Sequence, residues 1–331
     1  VSGARYRFVR NDSRESPAHQ IDPLTRETQL ESFFLHDDWA VFGDSTRLIF
    51  GAKLEHNDHT GYEFMPNIRF VTSPADQVTL WGSISRAIAA PAIFFEDTSV
   101  PVVAFPNEEA QLPQVISISG TRGINSEDLI AYETGVRATL SSDVSFDLSL
   151  FYNSYNNLMS IRPGETTVGI SPLGGLALNT NFEFANGLTA DSYGGEFSFA
   201  WRALEDLSLS TSYSYFKIDG HRGQSEDMGN LALMEGATPS HQASLQAKLD
   251  ITPELECDLI GRYVDTVPLG NVDSYIELTA QIGWTFAENW ELVIVGKNLL
   301  HDQHHEFTSN LFGPPPIEIE RSVYGLIRFT L

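Results

Sequence analysis

Three features are scarce in this 331-residue chain, and each scarcity excludes a class of protein. The single cysteine, Cys257, permits neither an internal disulfide nor a cysteine-based metal site. No run approaches the ~18 apolar residues of a membrane-spanning helix, which excludes a helical membrane protein. Basic residues number 20 against 44 acidic ones, giving a formal net charge of −24. Such an acidic chain is a poor partner for nucleic-acid phosphate.

What the chain has in abundance is the alternation of apolar and polar residues that is typical of β-strands. In 144–153, for example, Val144, Phe146 and Leu148 alternate with Ser145, Asp147 and Ser149. The same pattern occurs in 45–55, 77–85, 207–216, 241–250 and 276–286. We count about fourteen such strands, roughly 24 residues for each strand with its connection, whereas soluble all-β domains turn every ~8–12 residues. The spacing favours strands that cross a membrane, which need ~9–11 residues for the hydrocarbon alone.

The connections between these strands alternate in length. The short ones are 42–44, 73–76, 141–143, 204–206, 252–253 and 287–289, and the long ones are 11–26, 91–127, 162–186, 220–239 and 300–317. Short turns on one rim and long loops on the other are typical of an outer-membrane β-barrel, with periplasmic turns and extracellular loops. The sequence therefore predicts an all-β, antiparallel transmembrane barrel.

The alternation also predicts which side chains meet lipid. Four tryptophans fall near strand ends, as an interfacial girdle requires: Trp39, Trp201, Trp284 and Trp290. Trp81 is an exception, because its parity points it into the lumen. Cys257 lies on the apolar face with Leu255 and Leu259, so we expect it to act as a small apolar side chain rather than a nucleophile.

Several segments, which follow one another in the same order as in the family, resemble the barrel of TonB-dependent outer-membrane receptors. They are Gly51–Glu55, Pro66–Arg69, Leu80–Pro91, the Glu-x-Gly-x-Arg run Glu133–Arg137, the aromatic residues Phe151, Tyr152 and Tyr155, the strand 186–201 with Glu196, and Asn298-Leu299-Leu300 followed by the proline-rich loop Pro314–Pro316. Each motif is short, but together they cover most of the chain in the family's order. One departure is the end of the chain, Phe329-Thr330-Leu331, where family members commonly finish on an aromatic residue.

The resemblance implies a barrel of about 22 strands in the outer membrane of a Gram-negative bacterium. We expect residues 1–331 to be the C-terminal part of such a barrel, beginning in a strand at 4–10, with the first strands and the plug domain outside it. The implied function is TonB-dependent uptake of a scarce nutrient, such as a ferric siderophore, cobalamin or haem. The implied partners are outer-membrane lipid and lipopolysaccharide, the plug domain, the TonB complex through a missing N-terminal segment, and a small-molecule metal chelate.

Four charged residues are candidates for contacts inside the barrel. By parity Arg137, Glu196, Arg202 and Arg328 point into the lumen, where they can pair with each other or, as the resemblance implies, with a plug. The alternative is a solvated lumen lining with no specific task.

The extracellular loops supply the candidates for ligand contact. The loop 91–127 contains Phe94, Phe95 and Phe105, which either enter the barrel mouth and contact ligand or pack on neighbouring loops. Arg122 in the same loop is a candidate for an anionic ligand. His304 and His305 belong to an imidazole- and carboxylate-rich run that suits a metal or haem, although an exposed polar loop is the default interpretation.

No catalytic signature is present. The sequence has no G-x-S-x-G, no H-E-x-x-H and no glycine-rich phosphate loop before a helix, so we expect no enzyme, no resident metal and no cofactor. Three alternatives to a receptor stay open: a smaller passive channel, an outer-membrane hydrolase, and a soluble β-sandwich binding module.

Overall fold

The computed structural model describes residues 1–16, 19–43, 45–223, 225–227, 229–307 and 317–330. Within them the alternating, β-branched and aromatic sequence forms long strands, as such residues favour a pleated, half-buried surface. The predicted proline-rich loop Pro314–Pro316 and the last residue, Leu331, lie outside the described residues.

The strands in chain order are β1 (Ser2–Asp12), β2 (Gln20–Ile21), β3 (Thr25–Ala40), β4 (Thr46–Asn57), β5 (Gly61–Ala75), β6 (Val78–Ala89), β7 (Thr98–Asn107), β8 (Leu112–Ser119), β9 (Glu127–Thr139), β10 (Val144–Ile170), β11 (Leu176–Leu204), β12 (Leu207–His221), β13 (His241–Thr252), β14 (Leu255–Val264), β15 (Tyr275–Ala287), β16 (Trp290–Lys297), β17 (Gln303–His305), β18 (Glu318–Glu320) and β19 (Ser322–Phe329). The helices are α1 (Ile93–Asp97) and α2 (Asn230–Gly236). No helix among the described residues is both long enough and apolar enough to cross a membrane.

Fourteen of these strands form one antiparallel sheet, which we call the wall. Its order is β1-β3-β4-β5-β6-β9-β10-β11-β12-β13-β14-β15-β16-β19. Each strand pairs with the next along the chain once the small strands β2, β7, β8, β17 and β18 are set aside. The predicted antiparallel architecture and the count of about fourteen strands are confirmed. Within the described residues no pairing joins β1 to β19.

The two faces of the wall differ in chemistry. Large apolar side chains are exposed on the outer face, where Phe33 pairs with Leu54 and Ile68 with Ile84. Cys257 shares this face, opposite Leu249 on β13 and Ile282 on β15. Polar and charged side chains occupy the inner face. A soluble protein buries its apolar face, so this exposed apolar band is the pattern of a protein whose outer surface meets lipid.

Aromatic residues collect at the rim that carries the short turns. Trp39, Trp201, Trp284 and Trp290 are exposed on the outer face there. The Trp290 ring lies 4.8 Å from the ring of Phe329, so the girdle continues onto β19. This is the arrangement expected of an interfacial aromatic belt.

At the opposite rim β10 and β11 continue far beyond their wall neighbours. The pairing of β10 with β9 ends at Asn156, and the pairing of β11 with β12 ends at Thr189. The sequence predicts a long loop at 162–186, which is wrong: both strands continue to a tight turn at 171–175. The correction has a physical cause, because β8 pairs in parallel with β11 and supports it.

Three of the predicted loops thus form a second sheet, which we call the cap sheet. Its order is β10-β11-β8-β7-β2, using 157–170 of β10 and 176–188 of β11. β8 runs parallel to β11, whereas β7 is antiparallel to β8. Its buried core contains Val115, Ala177 and Phe184. The described residues of these three loops therefore form an ordered surface.

Candidate functional site

A buried ionic cluster fastens the cap sheet to the wall. We call Arg26, His59, Glu96, Asp97 and Arg122 the fastening cluster. The Arg26 guanidinium donates from Nη1 to Asp97 Oδ2 at 2.5 Å and from Nη2 to Glu96 Oε2 at 2.7 Å. His59 Nδ1 lies 2.6 Å from Glu96 Oε2, and Arg122 Nε donates to Asp97 Oδ1 at 3.1 Å.

Burial makes these contacts energetically important. The side chains of Glu96 and Asp97 are 3% and 0% exposed, and a buried carboxylate is costly unless it is paired. Their partners come from β3, from the hairpin between β4 and β5, and from the segment after β8. The cluster therefore holds three separate parts of the chain in one arrangement.

Gly120 is required for this arrangement. A Cβ at position 120 would lie 2.4 Å from the backbone carbonyl carbon of Glu96. Only glycine lets the segment after β8 approach α1 this closely.

Two aromatic residues of the loop 91–127, Phe94 and Phe95, contact a ring of the cap sheet. The Phe95 ring lies 5.0 Å from the ring of Phe184 on β11, and the Phe94 ring lies 5.9 Å from the same ring. Phe105 lies on β7 and is partly exposed. Both Phe94 and Phe95 thus pack against Phe184 of β11, and contact of either ring with a ligand stays a prediction.

On the inner face of the wall, Trp81 forms part of a groove lined by charged and aromatic side chains. The groove encloses about 470 Å³ and is lined by Arg69, Trp81, Glu133, Arg137 and Glu196, among others. The Arg69 guanidinium lies 6.0 Å from the Trp81 ring centroid, within the range of a cation–π contact. Trp81 lies against Gly135 of β9, where a Cβ would come within 2.7 Å of the indole. The groove thus presents a flat aromatic surface to the lumen.

The predicted lumen-facing residues all lie on this inner face. Arg137 pairs with Asp147 at 2.6 Å and Arg328 with Glu291 at 2.7 Å. Arg202 lies 3.9 Å from Asp143. These arginine side chains are more than half exposed, so water screens the pairs.

A second ionic cluster joins β14 and β15 to the segment that follows β16. The His304 side chain is 8% exposed and its ring lies 4.2 Å from the Tyr275 ring. Its Nε2 lies 3.2 Å from Glu306 Oε1, and its Nδ1 has no partner among the described residues. Arg262 contacts both Glu306 and Glu277. His304, expected in an exposed loop, is therefore buried, because an aromatic ring from β15 covers it.

Glu306 is the ionic centre of this second cluster. Burial acts to raise the pKa of the Glu306 carboxyl, but the hydrogen bond with His304, the charge of Arg262 and the hydrogen bond from Tyr275 outweigh it. The pKa of Glu306 consequently lies below its ordinary value, and the carboxylate stays ionised. His305 points away and lies 3.7 Å from Glu318, half exposed.

The structure separates the predicted ligand candidates into two groups. Arg122 and His304 contact the carboxylates of the two ionic clusters, and the His304 side chain is largely buried. The side chains of Arg122, His305, Phe94 and Phe105 are exposed. Sequence reasoning missed Arg26, Glu96 and Asp97. The available signal was the acidic pair Glu96-Asp97 inside an apolar segment, since buried carboxylates require cations. Within the described residues no group of three or more His, Cys, Asp or Glu side chains could hold a metal ion.

Comparison with known proteins agrees with this architecture. The family described as "TonB dependent receptor-like, beta-barrel" matches residues 1–299. The chain therefore belongs to this family, and the resemblance seen in the sequence is confirmed. Members are transporters rather than enzymes and lie in the outer membrane of Gram-negative bacteria, which confirms the predicted location.

Individual relatives show the same fold. An iron-regulated outer membrane virulence protein of Vibrio cholerae is 25% identical over 190 residues, which cover 55% of this chain and 26% of that protein. The siderophore receptor PirA of Acinetobacter baumannii superposes with a TM-score of 0.76 at 16% identity, covering 99% of this chain and 51% of that one. The ferric enterobactin receptor PfeA of Pseudomonas aeruginosa, solved in complex with enterobactin, gives 0.74 at 16% identity, with the same two coverages. The chain thus spans about half the length of these solved relatives.

Proposed function

We propose that this chain is part of a receptor that takes up a ferric siderophore, or a similar metal chelate, by TonB-dependent active transport across the outer membrane. The observation that carries the proposal is the family match over residues 1–299. The names of the relatives agree with it, since two are siderophore or ferric enterobactin receptors and one is an iron-regulated outer membrane protein.

The geometry supports a receptor in two ways. The cap sheet forms a preformed surface over the extracellular rim, and a preformed surface loses little conformational freedom when it binds ligand. On the inner face of the wall, nearer the rim with the short turns, the groove of Trp81 and Arg69 offers an aromatic face and a cation to whatever occupies the lumen. A chelate that carries aromatic rings and negative charge suits this groove.

The proposal extends to partners. Residues 1–331 would form the C-terminal part of a larger barrel, with a plug domain filling the lumen and contacting Arg137, Glu196, Arg202 and Arg328. The TonB complex would act on a segment N-terminal to that plug. The apolar outer face with its tryptophan girdle would contact membrane lipid and lipopolysaccharide.

The test is growth and iron-55 uptake in a strain lacking the gene, supplied with a panel of ferric siderophores, haem and cobalamin one at a time. We expect loss of uptake of one ferric chelate, restored by the full-length gene. A Trp81→Ala variant should reduce that uptake, whereas Trp39→Ala, on the outer girdle, serves as the matched control.

Energy dependence separates this proposal from a passive channel. Uptake by a receptor stops when the proton motive force is collapsed or when TonB is deleted. Uptake that continues under both conditions, or a deletion strain that grows normally on every iron source, would refute the proposed function.

A further inference from the structure

The cap sheet has an unpaired strand edge at the far end of β10. Residues Thr166–Ile170 pair with β11 on one side, from Thr166 opposite Thr180 to Ile170 opposite Leu176. Among the described residues no strand pairs with their other side. Val168 is 63% exposed and Ile170 is 75% exposed. We call Thr166–Ile170 the open edge.

The direction of the free backbone groups follows from the ladder. The N–H of Ser171 donates to the carbonyl of Gly175, which makes these two residues a hydrogen-bonded pair. Hydrogen-bonded and non-hydrogen-bonded pairs alternate in an antiparallel ladder. Thr166, Val168 and Ile170 therefore point their N–H and C=O groups away from β11. The open edge offers an uninterrupted row of donors and acceptors.

Nearer the wall, the outward backbone groups of β10 have hydrogen-bond partners. The N–H of Met159 donates to the Glu127 carboxylate at 2.8 Å, and the N–H of Ile161 donates to the Asp227 carboxylate at 3.1 Å. The Asn230 amide donates to the carbonyl of Met159 at 3.0 Å. Side chains thus form hydrogen bonds with the outward backbone groups of β10 up to the register shift between Pro163 and Thr166. Beyond that point, no side chain among the described residues bonds to these backbone groups.

The opposite side of the cap sheet is protected in the usual way. β7 pairs beyond β8 only with β2, at Thr98 and Ser99, and the rest of that edge carries Pro101 and Pro106. Proline cannot donate a ladder hydrogen bond, and natural sheets use it to block their edges. The open edge has no proline and no lysine between Thr166 and Ile170. One edge is blocked and the other is available.

The charge near the open edge is negative. Glu165 directly precedes it, whereas Glu108 and Glu109 lie farther away, across β11 and β8 in the turn between β7 and β8. Arg162 is the one basic residue in the described strands of the cap sheet, and it pairs with Glu183 at 2.9 Å. The whole chain carries a net charge of −24. Two copies of such a surface repel each other, whereas a basic segment is attracted.

We propose that the open edge, Thr166–Ile170, is a docking site for an extended, positively charged polypeptide segment of another protein, which adds to the cap sheet as a further strand. Main-chain hydrogen bonds to Thr166, Val168 and Ile170 provide the affinity, and apolar side chains of the segment cover Val168 and Ile170. This site is separate from the lumen and from uptake of the chelate.

The test uses the full-length protein in lipid nanodiscs and a fluorescein-labelled peptide in which valine alternates with threonine between pairs of lysines. Val168→Pro removes an outward N–H without breaking a hydrogen bond to β11. We expect it to weaken peptide binding by about tenfold or more in fluorescence anisotropy. Val168→Ile keeps the N–H and a β-branched apolar side chain, and should stay within about threefold of wild type. Circular dichroism and protease resistance of the β10–β11 hairpin establish that both variants are folded.

Three results would overturn the proposal. The first is a wild-type protein that does not bind the lysine-flanked peptide, or binds a glutamate-flanked version equally well. The second is equal binding by wild type and Val168→Pro. The third is self-association in sedimentation velocity that Val168→Pro abolishes, which would assign the open edge to a second copy of this chain.

Discussion

Charged pairs in the cap and in the wall are chemically alike but differ in their surroundings. In the fastening cluster, Asp97 is fully buried and receives Arg26 at 2.5 Å. In the wall, Arg137 reaches Asp147 at a similar 2.6 Å, yet the arginine is 75% exposed. Distance alone would rank the two pairs together. Burial separates them, because removing one partner of a buried pair leaves an uncompensated charge, whereas water replaces a lost partner at the surface.

The same comparison applies to the two faces of the wall. An arginine on the inner face is solvated, but one on the outer face would have to enter lipid. The effect of a charged side chain on the stability of this protein therefore depends on the surface on which it lies. Three substitutions test this, from the largest expected effect to the smallest.

Asp97→Ala should have the largest effect. It leaves Arg26 without its closest partner inside the cap, and breaking a buried pair costs about 3–5 kcal/mol. We expect the loss to be local, as faster hydrogen–deuterium exchange in 91–126. A milder variant for comparison is Arg122→Gln, which removes a contact to the same Asp97 carboxylate from a side chain that is 62% exposed, so exchange should rise less than in Asp97→Ala. Unchanged exchange in Asp97→Ala would show that the fastening cluster does not hold the cap.

Ile282→Arg should have an intermediate effect. Ile282 lies on the outer face, and an arginine at mid-membrane on that face costs ~2–4 kcal/mol. Its neighbour Gln281 points to the inner face opposite Asp258, so Gln281→Arg should change the free energy of unfolding by no more than about 0.5 kcal/mol. Urea unfolding in lipid vesicles measures both. Equal costs for the two variants would contradict the assignment of the faces.

Arg137→Gln should have the smallest effect. It removes an exposed ion pair, for which about 0–1 kcal/mol is typical. The same unfolding measurement, repeated at high salt, should show the difference from wild type shrinking further. A loss as large as that of Asp97→Ala would mean that Arg137 is buried in the intact protein, for example beneath a plug.

The wall could be predicted from the sequence because its information is local. In 144–153 every second residue meets the same surface, so alternation alone identifies the strand and its two faces. The inward parity of Trp81 also follows from this pattern. Why a tryptophan fits there does not, since the space is left by Gly135 on β9, which lies far away in sequence.

The cap sheet could not be predicted in the same way. Pro163, Gly164, Gly169 and Gly174-Gly175 indicate a loop between β10 and β11 on local grounds. They lie in or beside long strands because β8 supports β11, which is a contact between distant segments. His304 is similar: its run of polar neighbours predicts exposure, and only the position of Tyr275 buries it.

The parallel register of β8 on β11 also constrains the order of assembly. It joins 114–119 to 178–183, and the wall strands β9 and β10 lie between them in the chain. Pairings between distant segments form slowly, because the intervening chain must first give up its freedom. Once the β9–β10 hairpin has formed, the intervening chain has already lost most of its conformational entropy, and β8 and β11 lie close enough to pair. A cross-link between β8 and β11 should therefore appear only in molecules whose β9–β10 and β10–β11 hairpins have formed, so it would report on a step that follows the pairing of these wall strands.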